Sequence, residues 1–422
     1  MKTKLVTIAL AGLLLQACVP ATIGPAMFAP QAIDYLRGLE PKRYLGAALG
    51  TMQIAAYFSD QVDWASVDKH AYQMVAGART TADAYPAVEY AVSQLWNVDH
   101  HSFFFPPDRA STLSGSSGSL QGVGFSILVD SGVVVEVLPR SVAQKAGLRV
   151  GDVVETIDGK TPPDWVDQGA RPGQHYHYFG YFNQRIKATI RHPGEQANTI
   201  DLQPGPMVLN VLPSGRSIGC VGYLHLPGHL DLNGSDAGST AYAARLAQLV
   251  ETEDRLGSCA WIIDLRQDWG GNFSPMAAGL GAFLGKQPFA QVVWKWGRQS
   301  LFGEPYGSYQ LKHPDPPVAV LQGPTTASAG EVMAIAFHGR SQWRTFGEPS
   351  GGEASATVQV FLRDRALLNL TVGIDADRTG RAYGNKVEPD QAVAIDWALY
   401  ESDKDPVILA ALDWLRSQGT SG

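Results

Sequence analysis

Ser328 stands in the run Gly323-Pro324-Thr325-Thr326-Ala327-Ser328-Ala329-Gly330-Glu331, between two apolar stretches, Val318–Leu321 and Val332–Phe337. The layout predicts a strand, a tight turn and a helix that opens at the serine. A helix N-terminus presents unpaired backbone N–H groups and the positive end of a dipole. Such groups can stabilise the oxyanion of acyl transfer, so Ser328 is a candidate nucleophile and the Ala329 N–H a candidate oxyanion donor. A plainer role is equally visible, because Ser328 and Glu331 sit three apart and fit a capping box. A second turn, Gln267-Asp268-Trp269-Gly270-Gly271-Asn272, follows the apolar run Ala260–Leu265. Glycines just past a strand let backbone approach a ligand closely. Gly270 or Gly271, set beside Ser328, would complete an oxyanion hole; alone the pair reads as a turn.

The elements that must position these residues fall into three stretches. Residues 28–96 carry apolar residues at helical spacing, as in Val88, Ala91, Val92 and Leu95, with helix starts expected at Asp63-Trp64 and Thr81-Ala82-Asp83. Residues 106–119, rich in Pro, Ser and Gly, read as a linker. Residues 206–422 alternate short apolar runs with helical stretches, the pattern of an α/β domain. Strands are expected at Val221–Leu226, Ala260–Leu265, Val318–Leu321, Arg344–Gly347, Val358–Phe361 and Leu367–Leu370. Helices are expected at Ala241–Glu253, Met276–Leu284, Ala329–Gly339 and Pro406–Ser417.

Residues 120–205 differ from both neighbours. Gly122-Val123-Gly124-Phe125 leads into a strand, Ser141–Leu148 is a short helix ended by glycine, and Gly151–Gly159 is a strand closed by Asp-Gly. This succession resembles a PDZ domain. The resemblance implies that Gly122, Val123, Gly124 and Phe125 form a nest of N–H groups for a C-terminal carboxylate, with the peptide added as a strand. His175-Tyr176-His177 is expected on a strand face of the same segment.

The chain has 422 residues with a formal charge of −7, or −9 once Lys2 and Lys4 leave with a leader. Its length calls for two or three domains. No long basic block is present, which argues against a nucleic-acid partner. Lys2 and Lys4 precede an apolar stretch, Leu5–Leu15, and then Gln16-Ala17-Cys18, a signal-peptide layout over residues 1–17. Leu15-Gln16-Ala17-Cys18 resembles a bacterial lipobox, which implies lipidation at Cys18 and a membrane anchor on the extracytoplasmic side. Cys220 and Cys259 remain, either as a disulfide or as two buried thiols. No His/Cys cluster has metal-ligand spacing, and no cofactor is expected.

Several ordered motifs together resemble the tail-specific (C-terminal processing) and tricorn-type serine peptidases. They are Asp264-Leu265-Arg266…Gly270-Gly271, Thr326-Ala327-Ser328-Ala329-Gly330-Glu331, Phe346-Gly347-Glu348-Pro349 and Val387-Glu388-Pro389-Asp390. Upstream, Asp63-Trp64…Ala78-Arg79-Thr80…Tyr85-Pro86-Ala87 and Asp99-His100-His101-Ser102 are similar to the family's N-terminal segment. The likeness covers nearly all the chain after the leader. It implies an α+β multidomain fold: an N-terminal helical segment over 18–105, the linker, the PDZ-like β domain over 120–205, and a ClpP/crotonase-like α/β catalytic core over 206–422. It also implies a serine endopeptidase acting on polypeptides.

A serine hydroxyl needs a base within hydrogen-bond reach. Many members use a lysine in a Gly-Lys-Gly setting after the serine; here Gly351-Gly352-Glu353-Ala354 puts Glu353 in its place. Tricorn-type members use a histidine, and His101 matches it in the Asp-x-His-Ser element. His225, His229 and His338 are rivals with structural roles of their own. Glu331, one helical turn after Ser328, would orient the base, with Glu353 and Asp377 as alternatives. Asp264 and Arg266 read as a structural pair beneath the strand end. The competing reading is a catalytically inactive peptidase-like lipoprotein that binds peptides without cutting.

Overall fold

The computed structural model describes residues 41–113, 121–166, 176–178, 184–207, 211–230, 237–302 and 309–419. The leader, Cys18, His175 and linker positions 114–119 lie outside the described residues. The chain forms two compact units: residues up to 116 with 292–298 and 355–374, and residues 117–291 with 299–354 and 375–422.

The first unit opens with helices α1 (Pro41–Ala55), α2 (Trp64–Met74) and α3 (Tyr85–Asp99), followed by strand β1 (Phe103–Phe105) and helix α4 (Pro107–Leu113). Helix α2 starts where expected, with the Asp63 carboxylate accepting the Ser66 N–H at 3.3 Å. A capping box between Thr80 and Asp83 turns the chain into α3, which has proline in its first turn. Helix α4 lies within the stretch read as linker; Pro107 at its start and Asp108 in its first turn favour a helix locally. Leu45, Ala48, Leu49 and Met52 of α1 and Ala87, Val88, Ala91 and Leu95 of α3 are buried in one cluster with Leu368, Leu370 and Val372.

The second unit begins with the PDZ-like segment. Its strands are β2 (Gln121–Gly122), β3 (Phe125–Leu128), β4 (Val134–Val137), β5 (Val153–Ile157), β6 (Tyr176–Tyr178), β7 (Ile186–Arg191), β8 (Asn198–Leu202) and β9 (Gly205–Pro206), with helices α5 (Val142–Lys145) and α6 (Pro162–Val166) between them. Val123, Phe125, Ile127, Val134, Leu148, Ile157 and Ile186 are among the residues of its own apolar core.

The remaining elements are β10 (Ser214–Ile218), β11 (Val221–His225), α7 (Ala237–Leu256), β12 (Ala260–Asp264), α8 (Phe273–Gly279), α9 (Gly281–Leu284), β13 (Pro288–Trp294), β14 (Gly297–Phe302), β15 (Val318–Gln322), α10 (Ala329–Ala336), β16 (Trp343–Gly347), β17 (Ser355–Phe361), β18 (Leu367–Asp377), β19 (Gln391–Ala392) and α11 (Pro406–Ser417). Strands β17 and β18 pair antiparallel, and β1 adds to β18 with Phe103 opposite Asn369. Both pairings belong to the first unit. Strands β10-β11-β12-β15-β16-β19 form a six-stranded sheet, parallel from β11 onward. Every residue of β12 and β15 is buried, which explains their unbroken apolar runs. Cys220 and Cys259, each just before a paired strand, are joined in a disulfide. Closing a loop of 39 residues corresponds to about 4 kcal/mol in the chain-entropy treatment. Among the described residues no helix is long and apolar enough to cross a membrane.

Asp264 at the end of β12 pairs in register with Leu321 near the end of β15. The turns that follow these strands therefore emerge side by side at the carboxyl edge of a parallel sheet, where ligands bind in open α/β folds.

Candidate active site

The two turns are stitched together. The Leu265 N–H donates to Leu321 O at 2.8 Å, the Thr326 hydroxyl to Leu265 O at 2.8 Å, and the Ala327 N–H to Asp268 O at 3.0 Å. Beneath them Arg266 is fully buried between Asp264 (2.6 Å) and Asp405 (2.9 Å), with its guanidinium 4.6 Å from the Tyr400 ring. Against the penalty of burial, that guanidinium holds the Asp264 carboxyl below its usual range. Asp264 and Arg266 thus occupy the structural positions expected of them, locking the strand end to the N-terminus of α11.

Ser328 directly precedes α10 and has φ 50° and ψ −114°. A non-glycine residue there is strained by about 1–3 kcal/mol, a cost met mainly at functional sites. Ala329 is the first residue of α10, so its N–H has no partner within the helix. Gly270 lies against the serine: a methyl group on it would come within 2.8 Å of Ser328 Cβ and 3.1 Å of the Ala329 nitrogen. Its φ of 101° also requires glycine.

The two candidate glycine donors separate. The Gly270 N–H is taken by Asp268 Oδ1 at 3.1 Å. Gly271 forms a parallel bridge with His229, in which His229 bonds Gly270 O and the Asn272 N–H. That pattern turns the Gly271 N–H to the opposite side from His229. Of the pair, Gly271 is the donor left for an oxyanion beside the Ala329 N–H.

Glu331 is fully buried and gathers four donors. Its Oε2 accepts the Ser328 N–H at 2.9 Å and the Glu353 N–H at 2.8 Å; its Oε1 accepts the Gly352 N–H at 3.0 Å and the Ser350 hydroxyl. The glutamate side of the expected capping box is therefore present, and the same carboxyl pins the 350–353 loop. Burial pushes its pKa up to about 8, against the pull of Ser350 and the backbone donors. These contacts are to the serine's backbone and to the 350–353 loop, so Glu331 positions the nucleophile's backbone where the sequence suggested an orienter of the base.

His101 belongs to the first unit. Asp99, at the end of α3, accepts the His101 N–H at 3.0 Å and the Ser102 N–H at 2.9 Å, and takes the Ser102 hydroxyl at 2.5 Å. Asn369 Nδ2 donates to His101 O at 3.1 Å, and Ser102 Oγ accepts the Thr371 N–H at 3.0 Å. The Asp-x-His-Ser element is thus a turn closed by its aspartate and tied to β18. The ring is held at Nδ1 by Ser355 Oγ, 2.9 Å away. Sequence reasoning did not single out Ser355, which opens an ordinary-looking strand and gives no signal of its own.

The rival histidines have other surroundings. His229 is buried beside Tyr242, and His225 lies 3.9 Å from Glu401. His338 stacks on Trp343 and bonds Tyr383, with its pKa pushed down to about 4 by burial. Asp377 closes its own turn, accepting from Thr379 and the Arg381 N–H. Among the described residues no group of His, Cys, Asp or Glu is gathered as metal ligands would be.

In the PDZ-like segment, Gly122 pairs with Gly205, and Phe125 begins β3. The carbonyls of Val123 and Gly124 accept from Ala143 and Leu138. One edge of β3 pairs with β4. The other pairs antiparallel with β6, Ser126 opposite Tyr178 and Leu128 opposite Tyr176. A peptide adding to β3 meets an edge already taken.

The sequence pattern of Peptidase family S41 matches residues 220–393, which contain both turns, Ser328 and Glu331. Residues 220–393 are thus similar to the peptidases of that family. Members of this family are serine-type hydrolases. A PDZ domain pattern matches residues 133–167. The chain is 25% identical over 345 residues to the chloroplastic C-terminal processing peptidase of Tetradesmus obliquus, covering 73% of this chain and 69% of that one. It is 26% identical over 361 residues to the carboxyl-terminal-processing protease of Picosynechococcus sp., covering 80% of each. It is 28% identical over 215 residues to the nisin-resistance protein of Lactococcus lactis subsp. lactis, covering 47% of this chain and 66% of that one. Among solved structures, the photosystem II D1 C-terminal processing protease matches with a TM-score of 0.58 at 22% identity, over 87% of this chain and 96% of that one. A lipoprotein from Streptococcus agalactiae matches with a TM-score of 0.56 at 16% identity, over 90% and 98%. These likenesses are of fold.

Proposed function

We propose that the protein is a cell-envelope serine endopeptidase of the C-terminal processing type, with Ser328 as nucleophile and His101 as general base. The observation that carries this reading is the strained Ser328 at the start of α10, with the Gly270–Gly271 turn packed on it. His101 takes the Ser328 hydroxyl proton as Oγ bonds to the scissile carbonyl carbon. The Ala329 and Gly271 N–H groups receive the oxyanion. The tetrahedral adduct collapses, the C–N bond breaks, and His101 returns the proton to the departing amine. Water, deprotonated by the same ring, then hydrolyses the acyl-enzyme.

The Nδ1 contact to Ser355 supports this role for His101, because it holds the imidazole in one orientation, as a general base requires. Absence of the family's lysine is then expected, since an imidazole takes its task.

The PDZ-like segment would capture a polypeptide C-terminus through the Gly122–Phe125 nest, in competition with β6 for the β3 edge. Lipidation at Cys18 would anchor the enzyme outside the cytoplasm, and the Cys220–Cys259 disulfide suits such an oxidising compartment. Hydrolysis of casein by wild type and Ser328→Ala tests the assignment. The variant should fold with wild-type melting behaviour and show no turnover. Turnover in Ser328→Ala would overturn it; a folded wild type that binds peptides without cleaving them would favour a binding protein instead.

A further inference from the structure

Asp268 is buried in this site and is left unused by the chemistry above. Its Oδ1 accepts the Gly270 N–H at 3.1 Å. Its carbonyl accepts the N–H of Ala327, one residue before the nucleophile, at 3.0 Å, and its own N–H is tied to Leu265 O at 2.8 Å. The start of α10 packs flush against it: a Cβ on Gly330 would lie 2.2 Å from the Asp268 carbonyl oxygen and 3.0 Å from its Cγ. One residue therefore grips the glycine turn with its side chain and the serine turn with its backbone.

We propose that Asp268 is a positioning residue for the oxyanion hole, resting on the reading of Ser328 as nucleophile. By holding the Gly270 N–H back from the site, its carboxyl sets the peptide orientation that turns the next N–H, that of Gly271, toward the substrate. Its carbonyl fixes how closely the Ser328–Ala329 peptide approaches that turn. An oxyanion hole works only if its donors are already aimed at where charge develops.

The protonation state fits this task. An ionised carboxyl directly behind the donors would oppose the negative charge they are there to stabilise. Burial pushes the Asp268 carboxyl well above its usual range, with Glu136 reinforcing the shift. Asp268 Oδ2 has no hydrogen-bond partner among the described residues, which suits a neutral acid better than an ion. The titratable groups near it are Glu136 of β4, which accepts from Ser126 at 3.0 Å, and Tyr242 of α7, which donates to Pro227 O at 2.9 Å. Neither supplies a compensating positive charge.

The test is kinetic, on the full chain, with dye-quenched casein as substrate and the peptide aldehyde Z-Leu-Leu-leucinal as a probe of the tetrahedral state. Asp268→Ala is expected to lower kcat about a hundredfold with KM within about threefold, and to weaken aldehyde inhibition in parallel. Asp268→Asn, neutral and of the same shape, is expected to stay within about threefold of wild type in all three. Wild-type kcat in Asp268→Ala, or a loss in Asp268→Asn as deep as in Asp268→Ala, overturns the proposal. Should Asp268→Ala not fold, Asp268→Glu replaces it: that variant keeps a carboxyl but displaces it, and an undiminished kcat overturns the proposal equally. Equal turnover by wild type and Ser328→Ala would instead remove the nucleophile assignment.

Discussion

The imidazole Nδ1 of His101 lies 2.9 Å from the Ser355 hydroxyl. A base held at one ring nitrogen presents the other in a fixed direction. Ser355→Ala should therefore lower kcat for casein roughly tenfold, with KM and melting temperature nearly unchanged. Ser355→Thr, which keeps the hydroxyl, should recover most of the loss. A Ser355→Ala enzyme with full kcat would show that the contact does not orient the base.

Glu331 was legible in the sequence as a capping residue. Its grip on Ser350, Gly352 and Glu353 was not, because nothing in local spacing reveals which distant loop folds over a helix start. Three of its four donors are backbone N–H groups, which an amide cannot satisfy as fully as a carboxyl. Glu331→Gln should lower stability by about 1–3 kcal/mol and slow turnover by displacing the Ser328 backbone. Urea denaturation of the variant, with circular dichroism, reads the first effect. Wild-type stability would show that the loop is held by other contacts.

Acidic groups buried in the second unit set a pH dependence of stability. Burial raises Glu331 to about 8, and Glu136 and Asp375 each to about 7. Their folded forms therefore bind more protons than the unfolded chain, starting near the ordinary carboxyl pKa values of about 4 and continuing to these raised ones. Stability should be highest at the acidic end of that window and should fall as pH rises toward 8. Glu136→Gln should flatten the part of the decline that ends near pH 7. Thermal melts at pH 5 and pH 8 check the direction, and a protein more stable at pH 8 would refute it.

The third strand of the β3 sheet was the least legible feature. His175-Tyr176-His177 reads as a strand, yet only the pairing of β6 with β3 shows which edge it covers. An added peptide strand needs that same edge. His177→Pro disfavours β6 as a strand and should strengthen binding of peptides with a free C-terminus about tenfold. Fluorescence anisotropy with a dye-labelled Ala-rich peptide ending in a free Leu, against its amidated form, provides the measurement. Unchanged affinity for the free acid would show that β6 does not compete for the edge.

What the sequence disclosed most completely was the parallel core. The unbroken apolar runs of β12 and β15 and the glycine and serine turns after them follow from burial on both sheet faces. The turns' mutual placement came from strand order, which no local pattern encodes. The role of Asp268 is illegible locally for the same reason: its partners Gly270 and Ala327 lie on different turns.

The proposed activation of Ser328 by His101 is checked by labelling with a fluorophosphonate probe, located by mass spectrometry and timed in wild type, Ser328→Ala and His101→Ala. Modification is expected at Ser328 in wild type, none in Ser328→Ala, and a rate at least about a hundredfold lower in His101→Ala. Labelling of Ser328 at the wild-type rate without His101, or modification at a different serine, would contradict it.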